Sequence, residues 1–327
     1  MLQRQTNPSI RIGIDLMGSE NSPEALLEEI KSIPLSQTVE LVLVGSSEFQ
    51  ALAHPFRYYV ASEVIEMQDP PLTAVRKKKD SSLCVGLRLL QTKQIDAFIS
   101  AGNTGALVSA SKMILGNLPG ILRPALLSLL PTKKKPIAVL DLGAGIQTKA
   151  AHLLQFAAMG VAYQKIRGIQ HPIVGLLNIG SEETKGTADL RSAYQKLQQS
   201  KSPDFQFAGN IEGTAAFEGN VDVLVTDGFT GNIFLKTAEG IASLILDRLY
   251  THLPKKDLES IQPHLLDLHR QLHYAEYPGA LLAGVNGVVI KCHGYSTPQG
   301  FTNAIQGAIF IVEKHFLQSL QRKSHRT

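Results

Sequence analysis

Val221-Asp-Val-Leu-Val-Thr-Asp-Gly-Phe-Thr-Gly-Asn232 runs on into Ile233-Phe-Leu-Lys-Thr-Ala-Glu-Gly240, and Asp96-Ala-Phe-Ile-Ser-Ala-Gly-Asn-Thr-Gly-Ala106 repeats its plan. Each stretch is a short apolar run, a turn spelled Ser/Thr-x-Gly-x-Thr-Gly, and then a helical pattern. Glycine permits dihedrals that other residues resist and lets a ligand approach the backbone. Thr104 and Thr230 are placed to cap the helix that follows. A helix N-terminus offers unpaired N–H groups and a partial positive charge, which suits an anion. One copy alone reads as an ordinary strand-to-helix connection. Two matching copies point to a shared anion or carbonyl site.

Outward from these turns, apolar strand runs alternate with helical patterns. Strands are expected at Ile10–Asp15, Val39–Val44, Val64–Met67, Asp96–Ser100, Pro124–Leu130, Ile137–Asp141, Ile173–Ile179, Phe205–Ala208, Val221–Thr226 and within Gly284–Gly294. Helices are expected at Pro23–Ile33, Ser81–Thr92, from the first turn to Leu115, at Ala150–Lys165 and Ala188–Gln199, from the second turn to Tyr250, and at Gln299–Leu320. Asp69-Pro-Pro71 excludes a helix interior. Leu258, Ile261, Leu265, Leu268 and Leu272 keep helical spacing around Pro263, so residues 240–273 read as a helical hairpin with Pro254-Lys-Lys256 at its tip. The alternation implies a single α/β domain over residues 1–327, a three-layer α/β/α fold with a mainly parallel sheet. Ligands then belong at the carboxyl ends of the strands, where the glycine turns are expected to fall.

Composition narrows the partners. A net charge of +4 over 327 residues fits an acidic or phosphate-bearing partner but falls short of a nucleic-acid footprint. Trp is absent, so no stacking platform for bases is evident. Met1–Asn7 lacks the apolar core of a signal peptide, and no apolar run approaches a membrane span. Cys84 and Cys292 read as reduced thiols of a cytoplasmic protein. Dinucleotide and nucleoside-triphosphate glycine loops, the Gly-x-Ser-x-Gly elbow and zinc-ligand spacings are all missing, so neither cofactor nor metal is expected.

What remains is a set of small polar donors at strand ends: Asn103, Asn178, Lys185, Asn210, Asn232, Asn286, Lys291 and His293. Amides and backbone N–H groups stabilise oxyanions, and lysines neutralise phosphate. Each also has a plainer account. Asn and Gly form turns, His293 can be a core histidine, Lys185 can pair with Glu182, and Glu212 and Asp227 can be helix caps. Arg76-Lys-Lys-Lys79 can be a solvated face.

These residues lie in motifs that make the chain recognisable. Asp15-Leu-Met-Gly18, Arg76-Lys-Lys-Lys-Asp-Ser-Ser82, Ser100-Ala-Gly-Asn-Thr-Gly-Ala-Leu107, Leu118-Pro-Gly-Ile-Leu-Arg-Pro-Ala125, Asp141-Leu-Gly-Ala144, Val174-Gly-Leu-Leu-Asn-Ile-Gly180, Gly209-Asn-Ile-Glu-Gly213, Asp227-Gly-Phe-Thr-Gly-Asn232 and Gly284-Val-Asn-Gly-Val-Val-Ile-Lys291 with His293-Gly294 occur in one order. In this the chain resembles the PlsX family of phosphate acyltransferases. The resemblance implies conversion of acyl-[acyl carrier protein] and inorganic phosphate to acyl phosphate in bacterial phospholipid synthesis. It also implies a fold related to isocitrate and isopropylmalate dehydrogenases and phosphotransacetylases, a homodimer, and peripheral membrane association. Three places depart from the family's usual pattern: Ser19–Ser22, Gly145 with Gln147, and Thr214-Ala215, where the family has Arg-Asp. If that arginine holds an anion, a lysine must take its place.

On this reading Lys185, Lys291, His293 and Asn232 are the candidate catalytic residues. Lys185 and Lys291 neutralise phosphate, and His293 orients it or assists proton transfer. Gly102, Asn103, Thr104, Gly105, Asn178, Asn210, Gly228, Gly231 and Asn286 are the candidate substrate contacts, and Arg76 to Lys79 face the acidic carrier. A phosphotransacetylase acting on acyl-CoA and an inactive carrier-protein or membrane scaffold are the alternatives. Turnover should therefore survive EDTA and need neither NAD nor ATP. Activity lost on chelation and restored by a divalent ion would overturn that expectation.

Overall fold

Strand β1 (Ile10–Asp15) is buried at every position but Arg11, as a strand paired on both sides and covered on both faces must be. The computed structural model describes residues 10–19, 22–200, 202–253, 261–262, 264–265, 279–292 and 298–324. The chain divides into two compact units, Met1–Pro124 with Pro278–Thr327, and Ala125–Tyr277.

In the first unit β1 pairs in parallel with β2 (Val39–Gly45) and β4 (Ala97–Ser100), and β2 pairs in parallel with β3 (Arg57–Val60). On the far side of β4 lies the parallel strand β11 (Val288–Lys291), with β10 (Ala280–Ala283) antiparallel to it. Helix α3 (Ser82–Gln91) packs on β1, β2 and β4, and the helix Pro298–Glu313 packs on β1, β4 and β11. The register sets Lys291 beside Ser100. The carboxyl ends of β1, β4 and β11 therefore meet at one edge.

The second unit has strand order β5 (Ala125–Leu130), β6 (Ile137–Leu140), β9 (Val223–Val225), β7 (Ile173–Leu177), β8 (Gln206–Ile211). Among its described strand pairs only β5 with β6 is antiparallel. Helix α5 (Ala150–Ile166) covers β6 and β9, and α6 (Ala188–Gln199) packs on α5 and β8. The β7–β8 register shifts between Val174 and Leu176, placing Asn210 opposite Leu176. Gly209 takes φ +86° at that bulge, a value glycine tolerates best.

The expected mainly parallel α/β architecture with flanking helices is what the chain adopts, with several local differences. Val64–Met67 is not a strand; the chain there is a loop, and the neighbouring strand is Arg57–Val60. Pro71 opens an unforeseen helix α2 (Pro71–Lys77), since proline suits a first helical position. Asn210 lies in β8, which extends past Ala208 to Ile211. The final helical pattern is two helices, Pro298–Glu313 and Phe316–Ser324, parted at His315, whose φ of 51° cannot continue a right-handed helix. Of the expected hairpin, α8 (Gly228–His252) is described, whereas residues 254–260, 263 and 266–278 lie outside the described residues. Among the described residues no helix is long and apolar enough to cross a membrane.

Two glycines in helices test how tightly the chain is packed. A Cβ at Gly86 would lie 2.0 Å from Phe98 Cε2, overlapping that ring, whereas one at Gly240 would meet nothing within 4 Å. Gly86→Ala should destabilise the fold by about 1–3 kcal/mol through overpacking. Gly240→Ala should stabilise it by about 0.5–1 kcal/mol through lost chain entropy. Urea midpoints read both, and a stabilised Gly86→Ala would contradict the packing.

Candidate active site

Three polar clusters sit at carboxyl ends of parallel strands, one in the first unit and two in the second. In the first unit Asp15 ends β1 and is buried, accepting from Ser100 Oγ at 2.8 Å and Met17 N at 3.0 Å. Ser100 Oγ also accepts from Gly102 N at 3.1 Å, so the turn after β4 is tied to the end of β1. Lys291 ends β11, is buried, and donates from Nζ to Ala101 O at 3.1 Å and to Cys292 O. Burial pushes the Asp15 carboxyl up to about 6, opposed by hydrogen bonds from Ser82 and Ser100 and by the Lys291 charge.

Asn103, not Thr104, caps α4 (Thr104–Ile114), accepting from Ala106 N at 3.0 Å. Its amide nitrogen donates to Met67 O at 2.8 Å and Asp69 O at 3.2 Å. This side chain is occupied in holding the loop before α2. Gly105 is glycine because a Cβ would lie 2.7 Å from Pro71.

The second cluster centres on Asp141, at the end of β6. Its carboxylate accepts from Leu126 N, Gly143 N and Ala144 N on Oδ1, and from Gly145 N on Oδ2, all at 2.8–3.0 Å. Burial still raises this carboxyl against those four N–H groups. The loop so formed is the floor on which α8 begins. A Cβ at Gly231 would overlap Asp141 O, and one at Gly228 would lie 2.6 Å from Asp141 Oδ2. The second glycine turn is thus required by packing, whatever it binds. Asn232, exposed in the first turn of α8, donates one amide N–H to Leu142 O at 3.2 Å. Asp227 rather than Thr230 is the cap, accepting from Thr230 N at 2.9 Å and Thr230 Oγ1 at 2.7 Å. A carboxylate at that helix end offsets the positive pole that would draw an anion, whereas α4 keeps a neutral cap.

The third cluster lies beyond β7 and β8. Asn178 donates to Lys185 O at 3.2 Å and Asn210 to Glu182 O at 2.8 Å. Lys185 is half exposed, its Nζ 3.9 Å from Glu182 Oε1.

Asn286 joins none of these clusters. It is exposed in the turn before β11, at the end of that strand away from Lys291, and its backbone donates to Gly116 O. His293 lies outside the described residues. Arg76 lies in the last turn of α2, and Lys79 lies between α2 and α3. Both cysteines are buried with their thiols pushed up by burial, Cys292 to about 12, so neither supplies a thiolate. Sequence reasoning assigned no role to Asp15, Ser100 or Asp141. The signal available for the two aspartates was a carboxylate directly after an apolar strand run.

The profile of the family described as "Fatty acid synthesis protein" matches residues 10–319. The phosphate acyltransferase of Staphylococcus epidermidis is 39% identical over 330 residues, spanning 95% of this chain and 98% of that protein. Among solved structures, the EutD phosphotransacetylase from Staphylococcus aureus aligns over 96% of this chain and 95% of its own, with a TM-score of 0.59 and 14% identity. The 4-hydroxythreonine-4-phosphate dehydrogenase from Klebsiella pneumoniae aligns over 94% and 99%, with a TM-score of 0.51 and 13% identity. At such identities the likeness is one of fold.

The Asp15 carboxyl gives a pH signature. Its folded value of about 6 exceeds the ordinary value, so the folded state holds the proton more tightly. The stability this confers is complete below about pH 4 and is lost as pH rises through about 6. Relative to the natural chain, Asp15→Asn should therefore gain about 2–3 kcal/mol between about pH 4 and pH 7. A pH-independent difference in urea unfolding would show that Asp15 is not desolvated as described.

Proposed function

The chain belongs to the fatty acid synthesis protein family, whose relatives are phosphate acyltransferases, and we propose that it transfers the acyl group of an acyl-[acyl carrier protein] to inorganic phosphate. A phosphate oxygen attacks the thioester carbonyl, the C–O bond forms, and the C–S bond breaks. The products are acyl phosphate and free carrier thiol. A thiol of ordinary pKa, roughly 8.5, leaves as thiolate without a strong acid. The protein's task is to place an anion against the carbonyl and to stabilise the oxyanion. The family match along nearly the whole chain is the observation that carries this reading.

The geometry fits an attack without an acyl-enzyme on cysteine, since both thiols are buried. Lys185 extends from an exposed turn and supplies the charge for phosphate; Asn232 has a second amide N–H beyond the one given to Leu142 O. Lys291 serves as the buried cation behind the Gly102–Gly105 turn, and His293 follows it in sequence. In the Lys133–Lys135 turn, Lys133 and Lys135 pair with the carboxylates of Glu218 and Asp222, and Lys134 donates to Asn220 Oδ1. By contrast, Arg76, Lys77 and Lys79 have no side-chain partner among the described residues, and only Lys78 is paired, to Asp69. An unneutralised cationic patch suits an acidic carrier protein.

The same reading makes the protein a cytoplasmic homodimer in peripheral contact with the membrane. Helix α8 exposes Ile233, Ile241, Leu244 and Ile245, an apolar row of the kind that marks an interaction surface. A partner copy or a lipid surface covers such a face.

Phosphate should release free thiol from acyl carrier protein, and not from acyl-CoA. Release from acyl-CoA alone would make the chain a phosphotransacetylase, and release from neither would make it a scaffold. Lys185→Met should lower apparent phosphate affinity roughly 10- to 100-fold, the worth of a charged hydrogen bond. Cys292→Ser should leave the rate within about twofold, as a buried thiol outside the chemistry requires. An inactive but folded Cys292→Ser enzyme would replace direct attack with a covalent route.

A further inference from the structure

Gly180-Ser-Glu-Glu-Thr-Lys-Gly186 leaves the carboxyl end of β7 and presents Lys185. The segment holds no apolar side chain, so hydrophobic burial does little to fix it. Side chains from outside hold its backbone instead. Asn178 Nδ2 donates to Lys185 O at 3.2 Å while Asn178 Oδ1 accepts from Ile179 N at 2.9 Å. Asn210 Nδ2 donates to Glu182 O at 2.8 Å, and Arg191 Nη1 donates to Gly186 O at 2.5 Å. Glu182 O also accepts from Lys185 N at 3.1 Å, so this one carbonyl joins the turn to itself and to β8.

The backbone on either side is shaped for these contacts. Gly186 takes φ +85°, and a Cβ there would lie 2.6 Å from Asn178 Oδ1. The bulge at Gly209 decides which way Asn210 faces. A Cβ at Gly180 would lie 3.1 Å from Lys185 Cγ, so the lysine stem rests over that glycine. Among the described residues Asn210 Oδ1 is buried with no hydrogen-bond partner, an arrangement that costs stability. The residue is held there by its other amide atom, which grips the turn.

We infer that Asn178 and Asn210 are positioning residues, whose amides fix the turn that aims Lys185 and do not touch the substrate. The inference rests on the role proposed above for Lys185. It reassigns two side chains whose residue type alone suggested substrate contact.

Trypsin reads the turn directly, because it cuts between Lys185 and Gly186. Asn178→Asp keeps the acceptor for Ile179 N and loses the donor to Lys185 O; Asn210→Ala loses the donor to Glu182 O. In each variant, cleavage after Lys185 should quicken roughly 5- to 10-fold, the worth of one hydrogen bond, while cleavage at Lys133–Lys135 stays unchanged. In phosphate-dependent thiol release, each variant should raise the KM for phosphate about 5-fold when Lys185 is present and less than about twofold in a Lys185→Met background. Unaltered cleavage after Lys185 in both variants would overturn the inference, as would equal KM changes in the two backgrounds. If the natural chain releases no thiol, the proposed activity fails, and the trypsin experiment still decides whether the amides hold the turn.

Discussion

One buried carboxylate organises the second unit. Asp141 takes four backbone N–H groups into a single side chain at the end of β6. A tight loop with so many donors pointing inward would be untenable without an acceptor at its centre. The loop in turn presses on the start of α8 so closely that positions 228 and 231 admit only glycine. The place of Asn232 follows from this contact, because its amide is bonded to the loop's own Leu142 carbonyl. The signature turn is thus first a packing solution, and whatever chemistry Asn232 performs is built upon it.

The first unit solves a similar problem with a different balance. Asp15, Ser100 and Lys291 close the ends of three adjacent strands, and the turn at Gly102 is tied to them through Ser100 Oγ. A buried lysine here donates hydrogen bonds to backbone carbonyls, and its charge lowers the cost of ionising Asp15. The two glycine turns therefore differ where their sequences look alike. One helix begins under a neutral asparagine cap, and the other under a carboxylate that offsets its positive pole.

Partner identity, more than charge count, separates the lysines. Lys133, Lys134 and Lys135 are each met by a side chain from residues 218–222, which makes that run part of the fold. The run at Arg76–Lys79 is likewise all basic, yet only one of its four cations is paired among the described residues. Lys185 falls between these cases, half exposed and loosely opposed by Glu182. An exposed ion pair of that length contributes little, so its charge is available to an anion.

The sequence by itself determined the alternation of elements, the parallel α/β class and the position of both glycine turns, because strand and helix periods are local and glycine's freedom is intrinsic. It also placed the start of helix α1 (Pro23–Ser32) at Pro23 and that of α3 close to Ser81. Tertiary structure alone decided which polar groups are occupied. Asn103 spends its amide on Met67 O, 36 residues away, and Asn210 on Glu182 O, 28 residues away. No spacing rule reports such pairings, since an asparagine in a turn and one bonded across strands look the same in sequence. Asp15 and Asp141 became central for the same reason: a carboxylate after a strand matters only once neighbouring chain supplies the donors that surround it. Local chemistry marked where the chain turns, and long-range contact selected which side chains remain to act there.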